Sequence, residues 1–293
     1  MNVDQVVASL VQKVERSFYG KYRGVVVDNA DPEKLGRLKV KVPSVLGSDV
    51  VTGWATPCVP YGGAANQGFL FIPEVDAGVW VEFEEGDLEF PIWVGTYWTK
   101  PGGDSELTKP NDSDGTEQGD VQDPPTRKII KTLKGHTIQF EDKDDEEMVT
   151  IVAMMDDEHR HVLTMDGEGI KVTDGVNEHV ITMNADGVTI TDGKNSNTVT
   201  LDNSGIVIED KNGNVITMDS SSVTIKGSSI KIGDGASEPL VLGNQLKTAL
   251  DNWINTTYMT HMHTGNLGAP TTPPLPGAPL LLDPALSQTN KVK

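Results

Sequence analysis

Four segments decide how this chain is read: VLTMDGEGIKVTD from Val162, VITMNADGVTITD from Val180, TVTLDNSGIVIED from Thr198 and VITMDSSSVTIKG from Val215. In register they repeat with a period of about eighteen residues, the signature of a solenoid or array. The second, fourth, ninth and eleventh positions of each copy are apolar, as in Leu163, Met165, Ile170 and Val172, or Ile181, Met183, Val188 and Ile190. The third is Thr every time, at Thr164, Thr182, Thr200 and Thr217. Period-two alternation in short, β-branched runs predicts strands with one buried and one wet face. Gly169, Gly187, Gly205 or Ser222 marks a turn inside each copy, and Asp174-Gly175, Asp192-Gly193 and Asn212-Gly213 mark turns between copies.

Each copy supplies few apolar side chains and no aromatic ring, so one chain winding such short strands encloses little core. The economical solution is for several chains to share an axis. The expectation is an intertwined homotrimer, a triple-stranded β-helix or β-prism forming a rigid needle over residues 128–235. Two single-chain architectures compete with it. A calcium-binding β-roll asks for G-G-x-G-x-D in each nonapeptide, and no copy has a Gly-Gly pair. A monomeric parallel β-helix usually needs longer coils to close its own core.

The 293 residues carry a formal charge of -19 and a pI near 4.6, which argues against nucleic acid as a partner and against attraction to an anionic membrane. No apolar run is long enough to span a bilayer, and no leader of the charged-then-apolar kind is present, so neither a transmembrane segment nor a signal peptide is expected. Cys58 is the single cysteine; it excludes an internal disulfide and is expected as a small core residue in a strand.

Residues 1–20 contain Val3, Val6, Val7, Leu10, Val11, Val14 and Phe18 at steps of three and four, one face of an amphipathic helix. That helix either packs on its own domain or serves as a docking handle for a partner ring. Residues 21–100 alternate in five or six short strands, such as GRLKVKVPSV and GVWVEFEEGD, and hold four of the five tryptophans, which are expected to mark a core. The size suits a small Greek-key barrel of the OB type. Its basic residues, Lys34, Arg37, Lys39 and Lys41, cluster around one hairpin, so the barrel is read as structural. Residues 101–127 are rich in Gly, Pro, Asp and Ser and read as a linker.

VVVDNADPEKLGRLKVKVPSV, GWATPCVPYGG, GFLFIPEVDAGVWVEFEEGD and PIWVGTYW resemble the OB-fold domain shared by contractile-phage central spike proteins, the baseplate assembly protein V family and the VgrG spikes of type VI secretion. The Pro73-Glu74-x-x-x-Gly78 turn and the closing Gly95-x-x-Trp98 carry the resemblance together with the strand order. It implies a homotrimeric hub below a tail tube, partnered by tube and baseplate proteins, whose C-terminal strands form a membrane-piercing needle aimed at the target cell envelope. The location implied is a virion or a related injection particle. One relative carries a lysozyme domain between barrel and needle; the 101–127 segment is too short for one, and no catalytic constellation is seen elsewhere, so an enzyme is not expected.

Residues 236–293 form the apex region. Leu246, Leu250, Trp253, Ile254 and Tyr258 suit a short amphipathic helix, followed by His261-Met262-His263 and a Pro-rich tail. In a strand, residues two apart share a face, so a three-fold axis would gather six imidazoles, a donor set suited to iron(II) or a similar ion. The resemblance implies the same metal use for His261 and His263, one iron per trimer. A second pair, His159 and His161, lies in an acidic turn where no metal is expected. The tail either folds back around the tip or receives a separate cap protein. A trimeric adhesin or effector carrier stays open as an alternative to the piercing spike, and an exposed aromatic cluster on barrel or tail would favour it.

Overall fold

The computed structural model describes residues 2–15, 17–156, 158–232, 234–235, 241 and 243–273. It divides into two compact units, Met1–Thr224 and Ile225–Lys293, each taken by itself below.

The first unit opens with helix α1 (Val3–Glu15). Its apolar face is not packed on its own domain: Val3, Val7, Leu10 and Val14 are all exposed. The chain then enters a five-stranded sheet of β1 (Tyr22–Asp28), β2 (Lys39–Lys41), β3 (Thr56–Pro57), β4 (Gly78–Phe83) and β5 (Pro91–Thr96), with one helical turn, α2 (Pro43–Leu46), after β2. The spatial order is β2-β1-β4-β5-β3, antiparallel except for the β3–β5 pair. The alternation Val79, Val81, Phe83 turns one side of β4 inward, where it meets Val26, Leu38, Val40, Val42, Ala55 and Trp93 in one apolar core. Phe18 packs beside that core, and its N–H donates to the carbonyl of Gly86 at 2.8 Å.

Two expectations about this core need correction. Of the four tryptophans, only Trp93 is buried; Trp98 is 61 % exposed, and Trp80 lies against Tyr97 and the Arg23 guanidinium. Cys58 is exposed, because β3 is only two residues long and ends before it.

The repeat region forms an eleven-stranded sheet in unbroken chain order. Its strands are β6 (Arg127–Lys131), β7 (Thr137–Glu141), β8 (Met148–Met154), β9 (Arg160–Asp166), β10 (Gly169–Asp174), β11 (His179–Asn184), β12 (Gly187–Asp192), β13 (Asn197–Asp202), β14 (Gly205–Glu209), β15 (Val215–Met218) and β16 (Val223–Lys226). Successive strands pair antiparallel and in full register, for example Ile181 opposite Val172 on one side and Ile190 on the other. The glycines that punctuate each copy are required sterically. A Cβ on Gly169, Gly187 or Gly205, all at positive φ, would overlap the carbonyl oxygen of Met183, Leu201 or Met218 respectively.

Strands β7 to β14 are bonded on both edges to their own neighbours in sequence. The pairing of these inner strands is therefore complete within one chain, with β6 and β16 at the sheet edges.

The second unit contains helix α3 (Gly243–Trp253), extended by one wider turn over Ile254–Tyr258. Beyond it a small hairpin turns the chain back, with Thr264 bridged to Pro270 and the Gly265 N–H donating to the Ala269 carbonyl at 2.7 Å. The part of the Pro-rich tail after residue 273 lies outside the described residues.

Candidate functional site

In strands β7–β9 the repeat sheet buries the face that carries its polar residues and leaves the apolar face exposed. Strand β7 reads Thr137-Ile138-Gln139-Phe140-Glu141, and the polar residues are the buried ones: Gln139 is 0 % exposed, Phe140 44 %. Strands β8 and β9 continue the alternation, with Val as well as Thr on the buried side. Thr150, Val152, Val162 and Thr164 are buried on one side. On the other, Ile138, Phe140 and Ile151 are exposed, followed by Ile170, Val172, Ile181, Met183, Ile190, Leu201, Ile208 and Ile216. The cross-strand register places these apolar residues on a common face, since Phe140 opposes Val149, which opposes Met165, which opposes Ile170. A continuous apolar face of this length is far beyond the scattered exposure expected of a soluble surface.

The opposite face of β6–β9 is roofed by residues 108–127, the stretch expected as a linker. It connects the two sheets, but it is also packed. Asn111 is 2 % exposed; its N–H donates to Gln139 Oε1 at 2.9 Å, and Gln139 Nε2 donates back to the Asn111 carbonyl at 2.6 Å. Asn111 Nδ2 donates to the Gly115 carbonyl at 2.6 Å, and Gly115 sits so close to Val162 that a Cβ would stand 2.8 Å from its methyl. Arg127 Nε donates to Glu141 Oε2 at 2.6 Å, with both side chains largely buried. The Thr126 hydroxyl and Gln122 Nε2 complete the shell around the same carboxylate. Burial pushes the Glu141 carboxyl up, but the donors from Thr126, Arg127, Lys143 and Gln122 outweigh it and hold the pKa down at about 2. Polar residues with paired hydrogen bonds thus form a core that composition disguises as a linker.

At one end of each repeat a row of Asp side chains organises the turns. Asp174 Oδ1 accepts from the N–H groups of Val176 and Asn177, and Asp192 and Asp210 repeat the arrangement with Asn195 and Asn214. His161 and His179 face Asp174 and Asp192 through Nδ1 at 3.1 and 3.2 Å. His159 turns instead to Asp156, so the two histidines of the upstream pair are directed to different carboxylates.

In the second unit, His261 and His263 follow the helix in irregular backbone rather than in the expected strand. Their rings nonetheless lie together, with centroids 5.0 Å apart. They extend a ladder of rings from Trp253 through Tyr258. His261 Nδ1 contacts the Tyr258 carbonyl, which makes Nδ1 the protonated nitrogen and leaves Nε2 as the electron-pair donor, the arrangement metal-binding imidazoles use. The His263 N–H is held by Thr271 Oγ1 at 3.0 Å. The pair offers two imidazoles of the residue type that ligates first-row metals. Among the described residues, no group of three or more His, Cys, Asp or Glu that could hold a metal ion is gathered within one chain.

On the barrel, Tyr61, Phe69 and Phe71 are exposed and packed ring to ring at 5.9 and 6.3 Å. Sequence reasoning misses this cluster; its signal is the GFLFI run beside a Gly-rich loop. The basic hairpin is partly neutralised, since Arg37 pairs with Asp31 and Glu33, and Arg37 and Lys39 both stand over the Trp54 ring.

Residues 22–98 match the family described as the type VI secretion system/phage-baseplate injector OB domain. The resemblance carried by the barrel strands is thereby borne out: this segment is an OB domain of the baseplate-spike kind. The match covers this segment of the 293-residue chain. No curated protein matches the chain. Among the described residues, no helix is long and apolar enough to cross a membrane.

Proposed function

We propose that three copies of this chain assemble as the central spike of a contractile tail or injection machine, with the injector OB domain as hub and the repeat sheet as the piercing needle. The observation that carries this reading is the inverted burial of the repeat sheet. Over β6–β9 its polar face is roofed by its own chain, while its apolar face is left open over most of the sheet's length, and that open face is supplied with a cover if it meets two identical faces on a common axis. Because the pairing of the inner strands is already complete within the chain, association that keeps it brings three sheets together face to face, as the sides of a prism. Intertwining would require exchanging those pairs.

The role is mechanical rather than catalytic. Sheath contraction drives the spike forward, and strands hydrogen-bonded in unbroken succession along the needle resist bending. Three pairs of His261 and His263 gathered at the tip would hold one iron or a similar ion, whose contribution is to cross-link three chain ends where fraying starts. A tail tube or hub and neighbouring baseplate proteins are the partners expected at the barrel end, with a cap protein as a further partner at the tip. Particles produced without this chain should assemble poorly or fail to permeabilise target cells. Particles that lack it yet discharge potassium from targets at the normal rate would refute the piercing role.

The exposed Tyr61, Phe69 and Phe71 cluster favours a second reading, in which the barrel carries an effector or binds a receptor. Aromatic anchors of this kind dominate binding surfaces. Replacing all three by Ser distinguishes the two: loss of cargo or receptor binding with envelope puncture intact supports the carrier.

A further inference from the structure

The roof over the polar face does not extend along the whole sheet. Thr137, Gln139 and Glu141 of β7, Thr150 and Val152 of β8, and Val162 and Thr164 of β9 are buried. The corresponding Thr182, Thr200 and Thr217 of later strands are only half-buried. Strands β6–β9 thus have one face closed by their own chain, whereas β10–β15 have neither face closed. Local stability follows closed contacts, so the two parts of the sheet differ in what a lone chain can hold.

Sequence adds a second asymmetry. The repeats that start at Val162, Val180, Thr198 and Val215 are near copies, so sliding a strand by one repeat preserves the in-out pattern and register is weakly specified by the apolar residues alone. The roof uses residues that occur once. Gln139 has its partner in Asn111, Glu141 in Arg127 and Thr126, Lys131 in Glu117 at 2.7 Å, and Arg160 in Thr116 at 2.6 Å. None of these pairs can be remade one repeat further along.

We infer that residues 108–127 together with β6–β9 are a built-in starting point for needle assembly: one chain completes this block alone, its unique polar pairs set the register, and the repeats then zip from β10 toward β15 as three chains meet. The inference rests on the three-chain reading of the needle. It assigns the 108–127 segment an active part in assembly in place of a passive connection.

Refolding of the full chain from denaturant, with pulsed hydrogen exchange at two protein concentrations, tests it. Amides of 137–164 should become protected first, at a rate independent of concentration. Amides of 180–218 should follow, at a rate that rises with concentration. Asn111→Ala should slow the first phase several-fold and delay the second with it, while Thr182→Ser leaves both unchanged. Protection of 180–218 together with or before 137–164 overturns the inference. Protection of 137–164 first, followed by 180–218 at a concentration-independent rate in a protein that stays monomeric, upholds the starting block and removes the three-chain reading instead.

Discussion

Ile181→Thr is the most informative single change. Ile181 lies on the open apolar face and is 38 % exposed in one chain. Thr retains the β-branched shape that suits a strand, so the change isolates apolar cover from strand propensity. If the face stays wet, a surface substitution of this type moves stability by no more than about 0.5 kcal/mol. If two other copies cover it, two losses add. Full burial of an Ile side chain contributes about 1.5–3 kcal/mol, so the uncovered two-fifths is worth about 0.6–1 kcal/mol per copy by the same scale. Burying the new hydroxyl without a partner costs about 1–3 kcal/mol. Together these come to about 2–4 kcal/mol per copy and, since a three-fold axis repeats the change, about 6–12 kcal/mol per trimer. Thermal unfolding at fixed protein concentration, with Thr182→Ser on the opposite face as control, reads the difference. A midpoint that moves no further for Ile181→Thr than for the control refutes the covered face.

Four further outcomes follow from the same geometry. Arg127→Leu leaves the Glu141 carboxylate buried without its guanidinium and should cost about 3–5 kcal/mol, read by denaturant unfolding. Glu141 is held down to about 2 from an ordinary 4.5, so its contribution is fully present above pH 4.5 and is lost as pH falls toward 2; Glu141→Gln should flatten that acid limb of the melting profile. Thr150 Oγ1 is buried with no hydrogen-bond partner among the described residues, so Thr150→Val should stabilise by about 1 kcal/mol, measured by the same melts. If the proposed three-chain assembly holds iron at its histidines, His261→Ala with His263→Ala should abolish the iron read by elemental analysis and leave the native mass of the assembly unchanged.

Much of the architecture is legible because it is written in periodicity. The Thr164, Thr182, Thr200 and Thr217 register and the recurring glycines disclose the strands, their turns and the apolar face directly, since a two-residue alternation has one physical interpretation. The barrel strands are legible for the same reason, and so is helix α3. The roof at 108–127 is not. Its buried members, Asn111 and its partners Gln139 and Glu141, are polar, and a hydrophobicity pattern does not register a core made of hydrogen bonds. Cys58 and Trp98 mislead in the opposite direction: both belong to types usually found inside, but short strand ends leave them at the rim. In the second unit, the His261 and His263 spacing marks a candidate pair, while the backbone that brings their rings together is a turn held by Thr271 rather than the strand that the spacing suggests.

The most direct test of the account is the native mass of the purified chain in solution. Three apolar faces closed on one axis predict a single species at three times 31.6 kDa, stable on dilution. A species at 31.6 kDa that remains soluble and folded, with its apolar face uncovered, would contradict it.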